Sequence, residues 1–288
     1  MKSSQKMFLV FLLNITFAII ECIFGFLFNS SAVLADAVHD FGDALAIGLA
    51  TLFEKISNKQ HDQTYTLGYK RYSLLGALVT SIILITGSSL VLFENIPKLF
   101  AAEKVNQDGM LILGIIAIFI NFLASKIVGQ GHGHNHNESM LSLHFLEDIL
   151  GWLAVIIVSL ILRFINWYFL DPLLSLAISI FILAKTLPQF WETIQIFLNR
   201  IPKNLDFQSL FIQVQEVNNV HLLTQFNIWA SDGLEKFAMI HLCLENPQKL
   251  KETKQAIHTL LNSYGIEHVT IECDDSLEEH LHHGEEVS

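Results

Sequence analysis

Apolar residues gather into six long stretches, at about 7 to 28, 32 to 54, 72 to 95, 108 to 128, 141 to 163 and 167 to 190. Each is near the ~20 residues that a helix needs to cross a bilayer. Only a few residues around Ile165 and Asn166 separate the last two. After Arg200-Ile-Pro the pattern becomes mixed polar and apolar. The period there predicts a helix over 205–218, strands over 221–230 and 234–245 joined at Ser231-Asp232-Gly233, a helix over 248–263 and a third strand from Ile266 to Cys273. The expected organisation is an all-α, six-helix transmembrane domain over 1–200 and a small α+β domain over 201–273. A tail over 274–288, acidic and carrying His280, His282 and His283, is expected to be disordered.

Composition agrees with a membrane protein: 52% of residues are hydrophobic, 16% are charged, and the mean hydropathy is +0.46. The net charge of −11 is concentrated after Arg200, where 5 Lys and Arg face 14 Asp and Glu. Such a segment argues against nucleic acid and anionic lipid as partners and is compatible with attracting cations. Cys22, Cys243 and Cys273 are odd in number and never form CxxC, so neither a disulfide framework nor a thiolate zinc knuckle is expected. The first apolar run lacks a small-residue cleavage site and is read as a retained helix.

An even number of spans puts both termini on one side. Lys2, Lys6, Lys55, Lys59, Lys70, Arg71 and Lys126 fall on that side, whereas Lys98, Lys104 and Arg163 fall on the other. The positive-inside rule makes the termini, and with them the α+β domain, cytoplasmic. In a bacterium the membrane would be the inner, plasma membrane.

Ionisable groups inside apolar helices cost ~2.5 to 3.5 kcal/mol each on insertion scales and need compensation. The second stretch holds Asp36, His39, Asp40 and Asp43, and the fifth holds His144, Glu147 and Asp148. His39 and Asp43 stand four residues apart, as do His144 and Asp148, so each pair shares a helix face one turn apart. Two imidazoles and two carboxylates make a four-coordinate set suited to tetrahedral Zn2+. Cobalt, iron and manganese also accept such ligands, whereas copper(I), magnesium and calcium are disfavoured. The bland alternative is a set of paired polar groups that stabilises the bundle. Asp36, one turn away on nearly the same face, would either support the ligands or line an exit path; for Asp40 and Glu147 a functional and a structural role are equally open.

The stretches that carry a family resemblance are Asn14, Glu21, Gly25, Asn29-Ser30, Ala32 and Ala35-Asp-Ala-Val-His-Asp-Phe-Gly-Asp43. They continue with Gly68-Tyr69-Lys70-Arg71, Glu94, His144 to Asp148, Asp171-Pro172, Asn227-Ile-Trp229, His241-Leu242 and Gly265-Ile-Glu-His-Val-Thr-Ile271. Over essentially its whole length the chain resembles the cation diffusion facilitator family, zinc-transporter type. The resemblance implies six transmembrane helices, a ferredoxin-like cytoplasmic domain, a homodimer formed through that domain, and metal efflux coupled to proton entry. It also maps the transport site onto His39, Asp43, His144 and Asp148, with His in place of Asp at the first position as in zinc-selective members. Ser73 and Thr80 depart from the family, which often has Glu and Asn there.

Outside the membrane, Gly131-His132-Gly-His134-Asn-His136 reads as a flexible tract for weak, exchangeable metal capture, or as a solvated linker. His241 and His268 lie on expected strands. The family often places regulatory metal sites in this domain, but Thr224, Asn227 and Glu272 occupy positions where some members have His, so His241 is equally well a core or interface residue. No cofactor is implied: Zn2+ is cargo, and protons are the coupled partner. An intramembrane metalloenzyme would need a motif such as HExxH, and none occurs. A membrane-embedded metal sensor would need an output domain, and none is recognisable after residue 273. A channel would pass metal without regard to a proton gradient.

Overall fold

The computed structural model describes residues 3–129 and 136–275, with side chains described outside 3–10, 50, 51, 54, 124–129 and 136–146. Six long helices come first: α1 (Ser3–Phe28), α2 (Ser31–Ser57), α3 (Tyr72–Lys98), α4 (Gln107–Gly129), α5 (His136–Phe164) and α6 (Leu170–Phe197). The chain divides into two compact units, Met1–Phe190 and Trp191–Ser288. Among the described residues, Phe11–Phe28 of α1, α3 and α6 are long and apolar enough to cross a membrane, and Gln107–Leu123 of α4 is a shorter apolar helix. Of the remaining α2 and α5, α2 carries Asp36, Asp40 and Asp43 within eight residues.

In the first unit α1 packs on α2, α2 on α3, and α4 on α5, while α2 also touches α5. Small residues permit the close approaches. A Cβ on Gly42 of α2 would lie 2.1 Å from Leu84 Cδ2 of α3, and one on Gly114 of α4 would lie 2.8 Å from Ile156 Cγ1 of α5. Phe17, Val33, Met110 and Trp152 are buried where α1, α2, α4 and α5 meet. Ile19, Ile23, Phe93, Phe119 and Ile180 instead face outward, an apolar exterior suited to lipid.

Two polar devices fix how α2 begins. Asn29 adopts a left-handed backbone (φ 53°), and the amides of Asn29 and Ser30 donate to the carbonyls of Phe26 and Gly25, which closes α1 in a Schellman turn. Asp171 of α6 then caps α2: the Ser30 hydroxyl and the Ser31 amide each donate to its carboxylate at 2.6 Å. This buried carboxylate satisfies amide donors that the first turn leaves without intrahelical partners.

The second unit holds α7 (Phe207–Gln215), β1 (Val220–Ala230), β2 (Lys236–Leu244), a 3-10 turn (Pro247–Lys249), α8 (Leu250–Ser263) and β3 (Ile266–Asp274). The sheet order is β1-β2-β3, with β1 antiparallel and β3 parallel to β2. Asp232 accepts from the amides of Leu234 and Glu235 in the β1–β2 turn, where Gly233 takes φ +88°. Phe226, Ile240 and Leu242 of the strands pack against Ile257 and Leu261 of α8 to form the core. Cys22, Cys243 and Cys273 are all free thiols. Burial pushes the Cys273 thiol above its ordinary range, which disfavours the thiolate that metal binding would require.

Two helices extend beyond their apolar stretches. α5 begins at His136 and α6 continues to Phe197, because polar residues such as Glu192 and Gln195 end the apolar run without breaking the helix.

Candidate metal centre

On α2 the four-residue spacing places His39 Nδ1 3.4 Å from Asp43 Oδ2. Because α2 touches α5, His39 Nε2 also comes within 3.9 Å of Asp148 Oδ1. Ligand atoms of the three residues all lie within 4.8 Å of one another. A tetrahedral zinc ion with bonds of ~2.0–2.1 Å needs its ligand atoms ~3.3 Å apart, so modest side-chain motion would close the set on an ion. Asp148 is 4% exposed, while His39 and Asp43 keep 18% and 19%. His144 lies on α5 one turn before Asp148, and its side chain is outside those described.

Glu147 pairs with Lys185 of α6. Asp36 and Asp40 gather with Glu21 of α1 in a second buried group, ligand atoms again within 4.8 Å. Sequence reasoning placed Glu21 among the family-like residues only. Its signal was an acid in an otherwise apolar run with no basic residue within a turn of it.

Elsewhere the histidines are accounted for locally. His241 Nδ1 lies 3.6 Å from Asp274 Oδ1 and its Nε2 3.8 Å from Glu272 Oε2, while the Thr224 hydroxyl donates to Asp274 at 3.3 Å. His268 Nε2 is 3.1 Å from Glu235 Oε1, and its ring stacks on Phe237 at 4.6 Å. Among the described residues neither histidine belongs to a group of three possible ligands. His132 and His134 lie outside the described residues, as does the tail from 276 onward, and the side chain of His136 is outside those described.

The loop after α2 carries its own ordering device. Asp62 accepts from the Tyr69 hydroxyl at 2.5 Å and from the amides of Thr64 and Tyr65, both at 2.8 Å. The Tyr69 hydrogen bond, then the two amides, hold the Asp62 carboxyl below its usual range, and the same bond pushes the Tyr69 phenol up to about 12.

The cation efflux transmembrane domain matches residues 7–198. The chain is 27% identical over 285 residues to the cadmium, cobalt and zinc/H(+)-K(+) antiporter of Bacillus velezensis, covering 96% of this chain and 91% of the relative. It is 28% identical over 295 residues to the zinc transporter ZitB of Pectobacterium atrosepticum, covering 98% and 91%. It is 25% identical over 308 residues to the human probable proton-coupled zinc antiporter SLC30A4, covering 96% and 72%. These relatives are transporters and not enzymes. A transmembrane-domain match over more than half of its residues, carried by long apolar helices with a lipid-suited exterior, makes this chain an integral membrane protein of the cation efflux, or cation diffusion facilitator, family, of the zinc-transporter type.

Proposed function

We propose that this chain exports divalent metal, Zn2+ foremost, in exchange for protons through a site made of His39, Asp43, His144 and Asp148. The observation that carries the reading is the meeting of His39, Asp43 and Asp148 within 4.8 Å from two helices far apart in sequence. That His144 repeats the α2 spacing on α5 supplies the fourth ligand. Relatives named as zinc, cadmium and cobalt transporters support the cargo, and the two named as antiporters support the coupling.

The chemistry follows from the ligand types. An ion entering from the cytoplasm binds only when both imidazoles are neutral and both carboxylates ionised, so binding releases protons. Imidazole titrates near neutrality, so protons arriving from the far side expel the ion at ordinary pH. With α2 and α5 each carrying half of the site, rocking of helix groups about it exposes the site to one side and then to the other.

The wider architecture is proposed on the same footing. Six transmembrane helices over 1–200, both termini cytoplasmic, a domain over 201–273 and a tail over 274–288 accord with the apolar runs and the basic loops. The α-β-β-α-β order of the second unit supports a ferredoxin-like reading, through which two copies would pair. The His132, His134 and His136 tract would collect metal at the cytoplasmic mouth.

A whole-cell experiment tests the cargo. Expression in a zinc-sensitive host lowers accumulated zinc and restores growth, and Asp43→Ala or Asp148→Ala abolishes both effects at equal membrane abundance. Unchanged accumulation with the wild-type chain would instead favour the sensor reading.

A further inference from the structure

An ion pair ties α6 to α5 beside the metal centre, and the mechanism above does not use it. Lys185 of α6 donates to Glu147 of α5, the residue before Asp148. Among the described residues, Lys185 is the only Lys or Arg of α1–α6 that lies more than one turn from a helix end. Its ammonium group also stands 4.6 Å from the centre of the Phe181 ring, one turn earlier on α6. Both charges reach the centre electrostatically: Lys185 and Glu147 each act on the His39 ring, and Glu147 also acts on Asp148.

A charge in the middle of an apolar helix is costly and by default marks function. An apolar pair would join α5 and α6 at less cost. What Lys185 and Glu147 add is therefore the effect of their charges on an ion held nearby. In surroundings of low dielectric a unit charge acts across several ångströms with little screening. Glu147 attracts a divalent ion placed among His39, Asp43 and Asp148, and Lys185 repels it. Together they add no net charge, so the pull on the ion stays that of its own ligands.

We propose that Lys185 is an affinity-determining residue of the metal centre: paired with Glu147, it cancels the charge of an additional carboxylate and keeps the ion loosely enough held to be released. The proposal rests on the metal reading of His39, Asp43 and Asp148 and adds to it two opposed charges. Their signs make the assignment specific. Losing the lysine alone leaves Glu147 uncompensated and tightens binding, losing Glu147 alone leaves the lysine uncompensated and loosens it, and losing both restores neutrality. A pair that served only to hold α5 against α6 would give effects of one sign, since either loss breaks the same contact.

Zn2+ titrated into full-length protein in nanodiscs at fixed pH, followed by calorimetry, tests this on the binding step that Asp148→Ala removes. Lys185→Met lowers the dissociation constant of that step about tenfold, Glu147→Gln raises it about tenfold, and Lys185→Met/Glu147→Gln returns it to within about threefold of wild type. Lys185→Arg, which keeps the charge, leaves it unchanged. Should Lys185→Met fail to elute as a single species on size exclusion, Glu147→Gln against the double variant carries the same test: recovery of affinity when the second charge is removed supports the assignment, and further loss overturns it. Single variants that shift affinity in the same direction, or that leave it unchanged, would overturn the proposal while the centre stands. Wild-type protein with no binding step sensitive to Asp148→Ala would overturn the centre itself, and the proposal with it.

Discussion

His39 faces a carboxylate from each ring nitrogen, Asp43 at 3.4 Å and Asp148 at 3.9 Å. An imidazole ligates through one nitrogen and hydrogen-bonds through the other, so in the proposed site His39 would give one nitrogen to the ion beside both carboxylates. As a ligand, its nitrogen would tip the preference of the proposed centre toward zinc over manganese. His39→Asp replaces that nitrogen with oxygen and should lower the ratio of zinc to manganese flux about tenfold, a difference of ~1.4 kcal/mol. Paired flux measurements with the two ions check this, and an unchanged ratio would remove His39 from the selectivity-determining set. Asp148→Asn keeps the shape but removes the charge, and it should reduce flux of both ions alike.

At the scale of elements, the height of His39 and Asp43 along α2 depends on how that helix starts. Asp171 sets the start by accepting from Ser30 and Ser31 at 2.6 Å in a buried setting. Asp171→Ala strands those donors and should destabilise the membrane unit by roughly 2 to 4 kcal/mol, read as a lower thermal midpoint in detergent. The loop between α2 and α3 offers a pH test. A phenol raised to about 12 contributes stability in full below its ordinary value of about 10 and loses it as pH climbs between the two. Asp62→Ala should return the Tyr69 titration to ~10 in an ultraviolet absorbance titration. The elements themselves were legible, since apolar runs mark the helices and alternation marks the strands. The paired His/Asp spacing was legible for the same reason, being a property of a single helix face. The grouping of Glu21 with Asp36 and Asp40, and of Glu147 with Lys185, was not: both need a partner helix packed alongside, which no local period encodes. The full length of α6 was also hidden, because the run of apolar residues ends before the helix does.

Two compact units make up the whole molecule, and the second has its own core of Phe226, Ile240, Leu242, Ile257 and Leu261. Residues 201–275 expressed alone should therefore fold, with a single cooperative melt by circular dichroism; a fragment without a melting transition would show that it depends on the membrane unit. For the other unit, the proposal is that metal is exchanged for protons through a shared set of ligands. The most direct test is zinc uptake into proteoliposomes with an acidic interior, comparing wild type with Asp43→Ala and Asp148→Ala. Zinc accumulation that requires the pH gradient and falls at least about a hundredfold in both variants, ~2.7 kcal/mol or more, is the predicted result. Accumulation that ignores the gradient, or that survives both substitutions, would contradict antiport through this centre.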